Sequence, residues 1–436
     1  MSALGRWRVR ILSRSAKGSV VSEAFEEEEV SPEYSLYPHQ RQVLRDILRA
    51  LSSPGRRAIA HLPTGAGKTR IGSHTSCRLL NEADADDALV VWLAATEELC
   101  EQAADELSDA WTHLGLREVH VHRYWGNRSL DLRALSSGFL VTGLAKLRAA
   151  SDSDHTLLAH LADQAAAVIF DEAHQAVAQT YAFVTEQLCS TRPPLLGLTA
   201  TPGRTATLSE SDYQLARMFN ETKVSIDPGG HDSPVTYLIQ NLYLADPRFV
   251  PISFDSDTAV PEPEPGTDYT KDDLDGLGRN DERTSKIVEL AKTAAARHSR
   301  TIVFCPSVES AIECNRLLRR EGVLSNVVTA DTPRDDRRAL VSAFKDDSRE
   351  HMVMFNYGVL TAGFDAPRTR CVIIARPTTS LVLYSQMAGR AMRGPRAGGN
   401  RTAEIMTVAD TNLPGFGSVT DAFTNWEELW SNNSAS

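Results

Sequence analysis

The 436-residue sequence is poor in cysteine, and nothing is built from the six it has. Cys77, Cys100, Cys189, Cys305, Cys314 and Cys371 are scattered without a CxxC pair. That indicates neither a disulfide framework nor a zinc site, and the expectation is reduced thiols in a cytoplasmic protein. No apolar run approaches the roughly 20 residues that cross a bilayer, so no membrane partner is expected. Positive charge is in deficit: 46 Lys and Arg stand against 57 Asp and Glu, a net charge of −11. A polybasic coat for nucleic acid is excluded, but a local basic groove is not, because binding depends on where the charge sits. A second pair of catalytic carboxylates is also missing, which leaves a fused nuclease without support. The opening MSALGRWRVRILSRSAKGSV lacks acids and permits a transit-peptide reading. The alternation of Trp7, Val9 and Ile11 with Arg6, Arg8 and Arg10 reads better as a short exposed strand.

What is present is long enough for two domains, with 42% hydrophobic and 24% charged residues, as in an ordinary globular protein. Two segments repeat an apolar strand followed by a helix. The first runs from AIAHLP through ALVVWLAA, EVHVHRYW, GFLVTGLAKL and AAVIFDEAH to LLGLTATP; the second has RTIVFCPS, SNVVTA, HMVMFNYG, RCVIIARP and AEIMTVAD. Both suit a mostly parallel sheet flanked by helices, hence an α/β fold. Helical spacing in the second segment puts Ile312, Leu317 and Leu318, then Leu340, Val341 and Phe344, in its core. Between the segments, Pro261, Pro263 and Pro265 alternate with Glu262 and Glu264 in an acidic linker, near which the hinge is expected. The resulting division is an N-terminal extension (1–30), a first lobe (31–228), an inter-lobe connection (229–280), a second lobe (281–412) and a tail (413–436). The run Glu26 to Glu29 reads as a solvated charge block.

The chemistry starts at LPTGAGKT, residues 62–69, placed between an apolar strand and a helix. Backbone N–H groups of such a turn, with the helix N-terminus behind them, make an anion nest. Thr64, Gly65, Ala66 and Gly67 form the loop, Lys68 adds a point charge for β/γ-phosphates, and Thr69 offers a hydroxyl to Mg²⁺. The loop is expected to hold a nucleoside triphosphate, although the first position of the GxxxxGK[ST] pattern is Leu62. In VIFDEAH, Asp171 stands where a strand ends and its carboxylate can reach a loop-held metal, while Glu172 can orient or deprotonate a water.

PTGAGKT, DEAH, TATP (199–202), GFDAP (363–367) and QMAGRAMR (386–393) stand in the order and approximate separation found in superfamily 2 helicases. The sequence resembles that family over about residues 36–412, most of all the DEAH-type DNA translocases of type I restriction motors and repair helicases. The resemblance implies two tandem RecA-like domains, with ATP and Mg²⁺ in the cleft between them and nucleic acid across both. It implies that Lys68 contacts phosphates, Thr69 and Asp171 hold Mg²⁺, and Glu172 activates water. His174, Thr199 and Thr201 then couple the nucleotide and nucleic-acid sites. Gln40 in LYPHQRQVL resembles the adenine-reading glutamine, with Tyr37 beside it; the same stretch is also an amphipathic helix with Leu44, Ile47, Leu48 and Leu51 inward. Gln386, Arg390 and Arg393 match the motif facing the triphosphate, Arg393 being the first choice for the arginine finger. Asp365 resembles the ribose-binding residue, with Gly363 allowing close approach.

By motif position Thr96, Thr142, Arg204, Thr329 and Thr361 are candidates for the nucleic-acid backbone, though each also suits a cap or a strand. RNA helicases of the DEAD-box group carry PTREL where this chain has AATEEL, and Asp where it has His174; both departures favour DNA over RNA. The tail, with Phe423, Trp426, Leu429 and Trp430, is expected to be an amphipathic helix docked on the second lobe. The compact build points to partner proteins that supply targeting or nuclease function, in DNA repair, restriction or defence. The alternatives are an RNA-dependent helicase and an ATP-gated interaction module.

Overall fold

The computed structural model of the chain describes residues 30, 32–200, 210–254, 263, 267–346, 350–361 and 363–410. The expected N-terminal strand, the Glu26–Glu29 block and the aromatic tail helix lie outside the described residues, as do Thr201 and Arg204.

Two parallel sheets carry the chain. The first contains β1 (Arg57–His61), β2 (Leu89–Ala94), β3 (His120–Tyr124), β4 (Gly138–Gly143), β5 (Ala165–Asp171), β6 (Leu195–Thr199) and β7 (Lys223–Ser225), in the order β3-β4-β2-β5-β6-β1-β7. The second contains β8 (Asp246–Phe254), β9 (Arg300–Phe304), β10 (Ser325–Val328), β11 (Met352–Asn356), β12 (Cys371–Ile374) and β13 (Thr402–Asp410), in the order β10-β11-β9-β12-β13-β8. Successive side chains of a strand point to opposite faces, and helices cover both faces here. On β2, Val90, Trp92 and Ala94 enter one apolar cluster while Leu89, Val91 and Leu93 enter another. On β12, Val372 and Ile374 face one cluster and Cys371 and Ile373 the other. All six cysteines are buried free thiols.

Every strand expected from an apolar run is present, and two further ones join them. β8, DPRFVPISF, lies within the stretch assigned to the inter-lobe connection, yet it pairs along its whole length with β13. Its prolines conceal it in the sequence. Asp246 N donates across to Arg401 O, so the alternate positions Pro247 and Pro251 face away from β13, where an edge strand needs no N–H. The crossing between sheets is therefore made by residues 226–245, upstream of the acidic linker.

Three helices matter for the site: α1 (Pro38–Leu51), α2 (Lys68–Glu82) and α3 (Glu97–Leu114). On α1, Val43, Ile47 and Leu51 are buried, whereas Leu44 and Leu48 are only partly so, because the inward stripe is set by His39, Gln40 and Val43. Ile312 also departs from expectation. Helix Val308–Arg320 buries Ala311, Cys314 and Leu318, and Ile312, about 100° round from Ala311, is 51% exposed. Leu317, Leu340 and Val341 are partly buried, and Leu318 and Phe344 fully.

Candidate active site between the two lobes

The buried strand β1 delivers the loop Leu62–Gly67 to the top of the first sheet, and α2 begins at Lys68. Gly65 and Gly67 have φ of 90° and 91°, a region that glycine enters freely. Space is short as well as conformation. A Cβ on Gly67 would stand 2.2 Å from the Gln40 amide nitrogen, and one on Gly65 would stand 2.9 Å from Leu244. The loop is tied to α1: Gln40 Nε2 donates to Ala66 O at 3.0 Å, and Gln40 Oε1 accepts from Tyr37 N at 2.9 Å. Tyr37 packs against Tyr243, ring centroids 4.8 Å apart and tilted by 49°, and donates its hydroxyl to Arg396 O in the second lobe. The Thr64 hydroxyl is buried without a hydrogen-bond partner, on a side chain that faces Gly389 of the second lobe.

At the end of β5 the chain turns at Glu172, whose φ of 51° and ψ of 54° are left-handed. For a residue with a Cβ this costs on the order of 1–2 kcal/mol, and it turns the Glu172 side chain aside from the strand line. Asp171 and Glu172 are both buried. Burial, and then the Glu172 charge, push the Asp171 carboxyl up to about 7, against Lys68 and the bond from Glu172 N at 3.0 Å. Glu172 Oε2 makes no hydrogen bond and lies 3.4 Å from His174 Nδ1, which is in turn 3.4 Å from Thr199 Oγ1 on β6. His174 thus links the carboxylate pair to the end of the neighbouring strand.

The second lobe meets this surface through helix Leu381–Gly389 and the turn after it. Gly389 packs so closely that a Cβ there would fall 2.2 Å from Thr64 Cγ2. Gln386 is buried, and its carbonyl accepts from Arg390 Nε at 3.1 Å; Arg390 also donates to Phe364 O. Burial, with Arg393 beside it, lowers the Arg390 guanidinium to about 10, opposed by Asp365 and Glu172. Arg393 holds Asp365 with two bonds of 3.0 Å and crosses the cleft to donate to Gly65 O at 2.9 Å. Lys68, Asp171, Glu172 and Arg393 are therefore gathered round one loop, with Arg390 behind.

The nucleic-acid candidates are more dispersed. Thr96 caps α3, accepting from Leu99 N at 3.3 Å, and Thr142 is buried in β4. Thr329 is buried, its N–H donating to Thr332 Oγ1 at 2.9 Å, and Thr361 is half-buried. Gly363, at φ 66°, lies against α3, where a Cβ would meet Glu98 Cβ at 2.8 Å. Sequence reasoning missed Tyr243 and Arg396 beside Tyr37. It also missed a set of ion pairs joining α3 to helix Arg334–Lys345; the signal was there in the acids of EELCEQAADELSD and the arginines of PRDDRR. His298, Cys371 and Glu404 come within 4.8 Å of one another at the edge of the second lobe. Glu404 is held by a hydrogen bond to His298 at 2.7 Å and an ion pair with Arg297 at 3.1 Å.

Residues 33–204 match the family described as "Type III restriction enzyme, res subunit", and residues 282–395 the family "Helicase conserved C-terminal domain". "Putative ATP-dependent helicase IRC3" of Saccharomyces cerevisiae is 23% identical over 368 residues, which cover 82% of this chain and 49% of that protein. The chain spans about half the length of the curated relatives it matches. Among solved structures, the DNA-bound type ISP restriction-modification enzyme LlaBIII aligns with a TM-score of 0.60 at 16% identity, covering 93% of this chain and 30% of that one. The fragment of a "putative HsdR subunit of a type I restriction enzyme" from Vibrio vulnificus aligns at 0.57 and 18%, covering 88% and 65%. At such identities the likeness is one of fold, that of two RecA-like lobes. No helix among the described residues is long and apolar enough to cross a membrane.

Proposed function

Since the chain belongs to the superfamily 2 helicases, we propose that it is a DNA-dependent ATPase that translocates along or remodels DNA, its two lobes closing on ATP and opening after hydrolysis. The observation that carries the reading is the bond from Arg393 to the Gly65 carbonyl, which sets a cation of the late lobe against the phosphate loop of the early one. Lys68 and the loop N–H groups bind the triphosphate, and Glu172 accepts a proton from the attacking water. Arg393, with Arg390 behind it, neutralises charge developing on the transferred phosphoryl group; a guanidinium suits this because it stays ionised and its fork matches phosphate oxygens. Tyr37 and Gln40 read the base, Asp365 the ribose. Thr69 and Asp171 fit Mg²⁺: an oxygen donor pair whose carboxyl lies beside a second carboxylate, Glu172, and is pushed up to about 7 by burial and by that charge. When bound, the ion supplies charge neutralisation between the phosphates. His174 and Thr199 relay lobe closure to the nucleic-acid side, where Thr96, Thr142, Thr329 and Thr361 hold the backbone.

DNA is preferred over RNA on the same grounds as before, Glu97 in place of arginine and His174 in the fourth position of the box. Targeting and any nuclease come from partner proteins, in repair, restriction or defence. The proposed division keeps 31–228 as the ATP-binding lobe, with the second lobe including β8 as well as 281–412. ATP turnover measured in parallel with duplex DNA, single-stranded DNA and RNA is the test, followed by triplex displacement to detect movement without unwinding. Stimulation by DNA supports the reading. Stimulation by RNA alone assigns an RNA helicase, and an unresponsive rate with nucleotide-dependent partner binding assigns an interaction module.

A further inference from the structure

Across the cleft from the nucleotide, α3 and helix Arg334–Lys345 face each other over a space of about 980 Å³. The first presents Glu97, Glu98, Glu101 and Asp105, the second Arg334, Arg337 and Arg338. Arg337 is engaged by Glu98 and by the carbonyls of Thr329 and Ala330, each at 3.1 Å. Glu101 is in a different situation, because four guanidinium groups converge on it. Arg128 approaches at 2.9 Å, Arg338 at 3.5 Å and Arg123 at 3.6 Å, and Arg334 is in direct contact. Arg123 has Asp105 as a second partner at 2.9 Å. Two carboxylate oxygens offer about four acceptor sites, fewer than the N–H groups that four guanidiniums present. The side chains of Arg334 and Arg338 are 48% and 63% exposed, so donors remain turned to solvent.

Beside Glu101, a hollow of about 440 Å³ is lined by Arg128 and Asn127 of the first lobe, Arg334 of the second, and Glu97. Arg128 is held in place by stacking at 4.3 Å on Trp125. Opposed guanidiniums with an amide between them are a donor set for a phosphodiester. The location agrees: Glu101 is five residues beyond Thr96, about 7.5 Å along the helix, and Gly363 packs on the same turn of α3.

We propose that Arg128, Arg334 and Arg338 form a lobe-spanning site for a nucleic-acid phosphate, and that Glu101 occupies it as an internal substitute which nucleic acid displaces. The site rests on the nucleic-acid reading above and adds to it a cleft latched by a carboxylate when no backbone is bound. Half-exposed ion pairs are individually weak, so exchange of one anion for another is open to a polyanion with many contacts.

Fluorescence anisotropy with a labelled single strand and a labelled duplex, using the full chain between 50 and 200 mM salt, tests the site. Glu101→Gln is expected to tighten binding about fivefold. The Arg334→Ala/Arg338→Ala pair is expected to weaken it about 10- to 100-fold and to lower the slope of log K against log salt by about two. Arg316→Ala, which removes a charge paired with Glu313 on a remote helix, serves as the control for general charge loss. Weaker binding by Glu101→Gln overturns the proposal and leaves a clasp that merely holds the lobes. Wild-type affinity and slope in the arginine pair also overturn it, while leaving the nucleic-acid reading intact. A wild-type chain that binds no nucleic acid removes both. Because Arg334 and Arg338 are largely exposed, that pair remains informative if Glu101→Gln fails to fold.

Discussion

Among the described residues the lobes meet on the nucleotide side and on the α3 side, and the contacts differ in kind. On the nucleotide side, Arg393 bonds a backbone carbonyl, Gly389 lies against Thr64, and Arg390 is half-buried with its guanidinium bonded to the carbonyls of Gln386 and Phe364. On the α3 side Gly363 packs on Glu98, and round it the contact is made by long, partly exposed side chains of opposite charge. Charge carries much more of the second contact than of the first, which rests on close packing and bonds to backbone carbonyls. A motor needs such asymmetry, since a seam that responds to nucleotide and one that responds to a polyanion can be opened independently.

The sharpest way to break the comparison is at Arg393. Arg393→Ala is expected to lower ATP turnover by about 10³-fold or more while the α3 contact stays as it is; a loss under tenfold in steady-state turnover would remove Arg393 from the finger role. Glu172→Gln should follow, at about 10²- to 10⁴-fold, with analogue binding retained, whereas Lys68→Ala weakens nucleotide binding itself. Normal hydrolysis by Glu172→Gln would reassign the water-activating residue.

Salt separates the contacts more gently. Between 50 and 400 mM, amide exchange in α3 and helix Arg334–Lys345 is expected to rise severalfold while the loop at 62–69 changes little; equal change in both regions would show a single cooperative seam. The smallest effect is on pH. Burial lowers His39 and His74 to about 4 and His61 to about 3, all in the first lobe. The unfolded chain takes up those protons near 6.5, so the stabilisation is fully present above that pH and is lost as pH falls toward 4. In the second lobe His298 is also lowered by burial, but Glu404 opposes the shift. From pH 7 to 5, exchange protection should therefore fall further in the first lobe; the reverse order would place the acid-sensitive groups elsewhere.

How much of this was legible followed from what each feature is made of. Buried parallel strands write themselves as apolar runs, which is why β1, β2, β4 to β6, β9 and β11 to β13 could be read directly, whereas the edge strands β3 (HVHRY) and β10 (SNVV) were legible only from their place in the strand–helix rhythm. β8 could not, since Pro247 and Pro251 mimic a loop and only the register against β13 shows that their missing N–H groups face outward. The phosphate loop and the carboxylate pair were legible because their chemistry requires contiguous residue types. The cluster at Glu101 draws on residues 123, 128, 334 and 338, whose spacing carries no signal until two sheets are folded against each other. Ile312 shows the same limit on a smaller scale, one position off the stripe that its helix buries.

The acidic, proline-rich stretch has the second lobe on both sides of it: β8 ends at Phe254, and Thr267 and Asp268 accept hydrogen bonds from Thr378 and Thr379. The leash that limits how far the lobes can separate is thus the twenty or so residues ahead of β8. Cargo spliced into the proline-rich stretch would ride on one half of the machine without lengthening that tether, which makes it the natural port for a reporter.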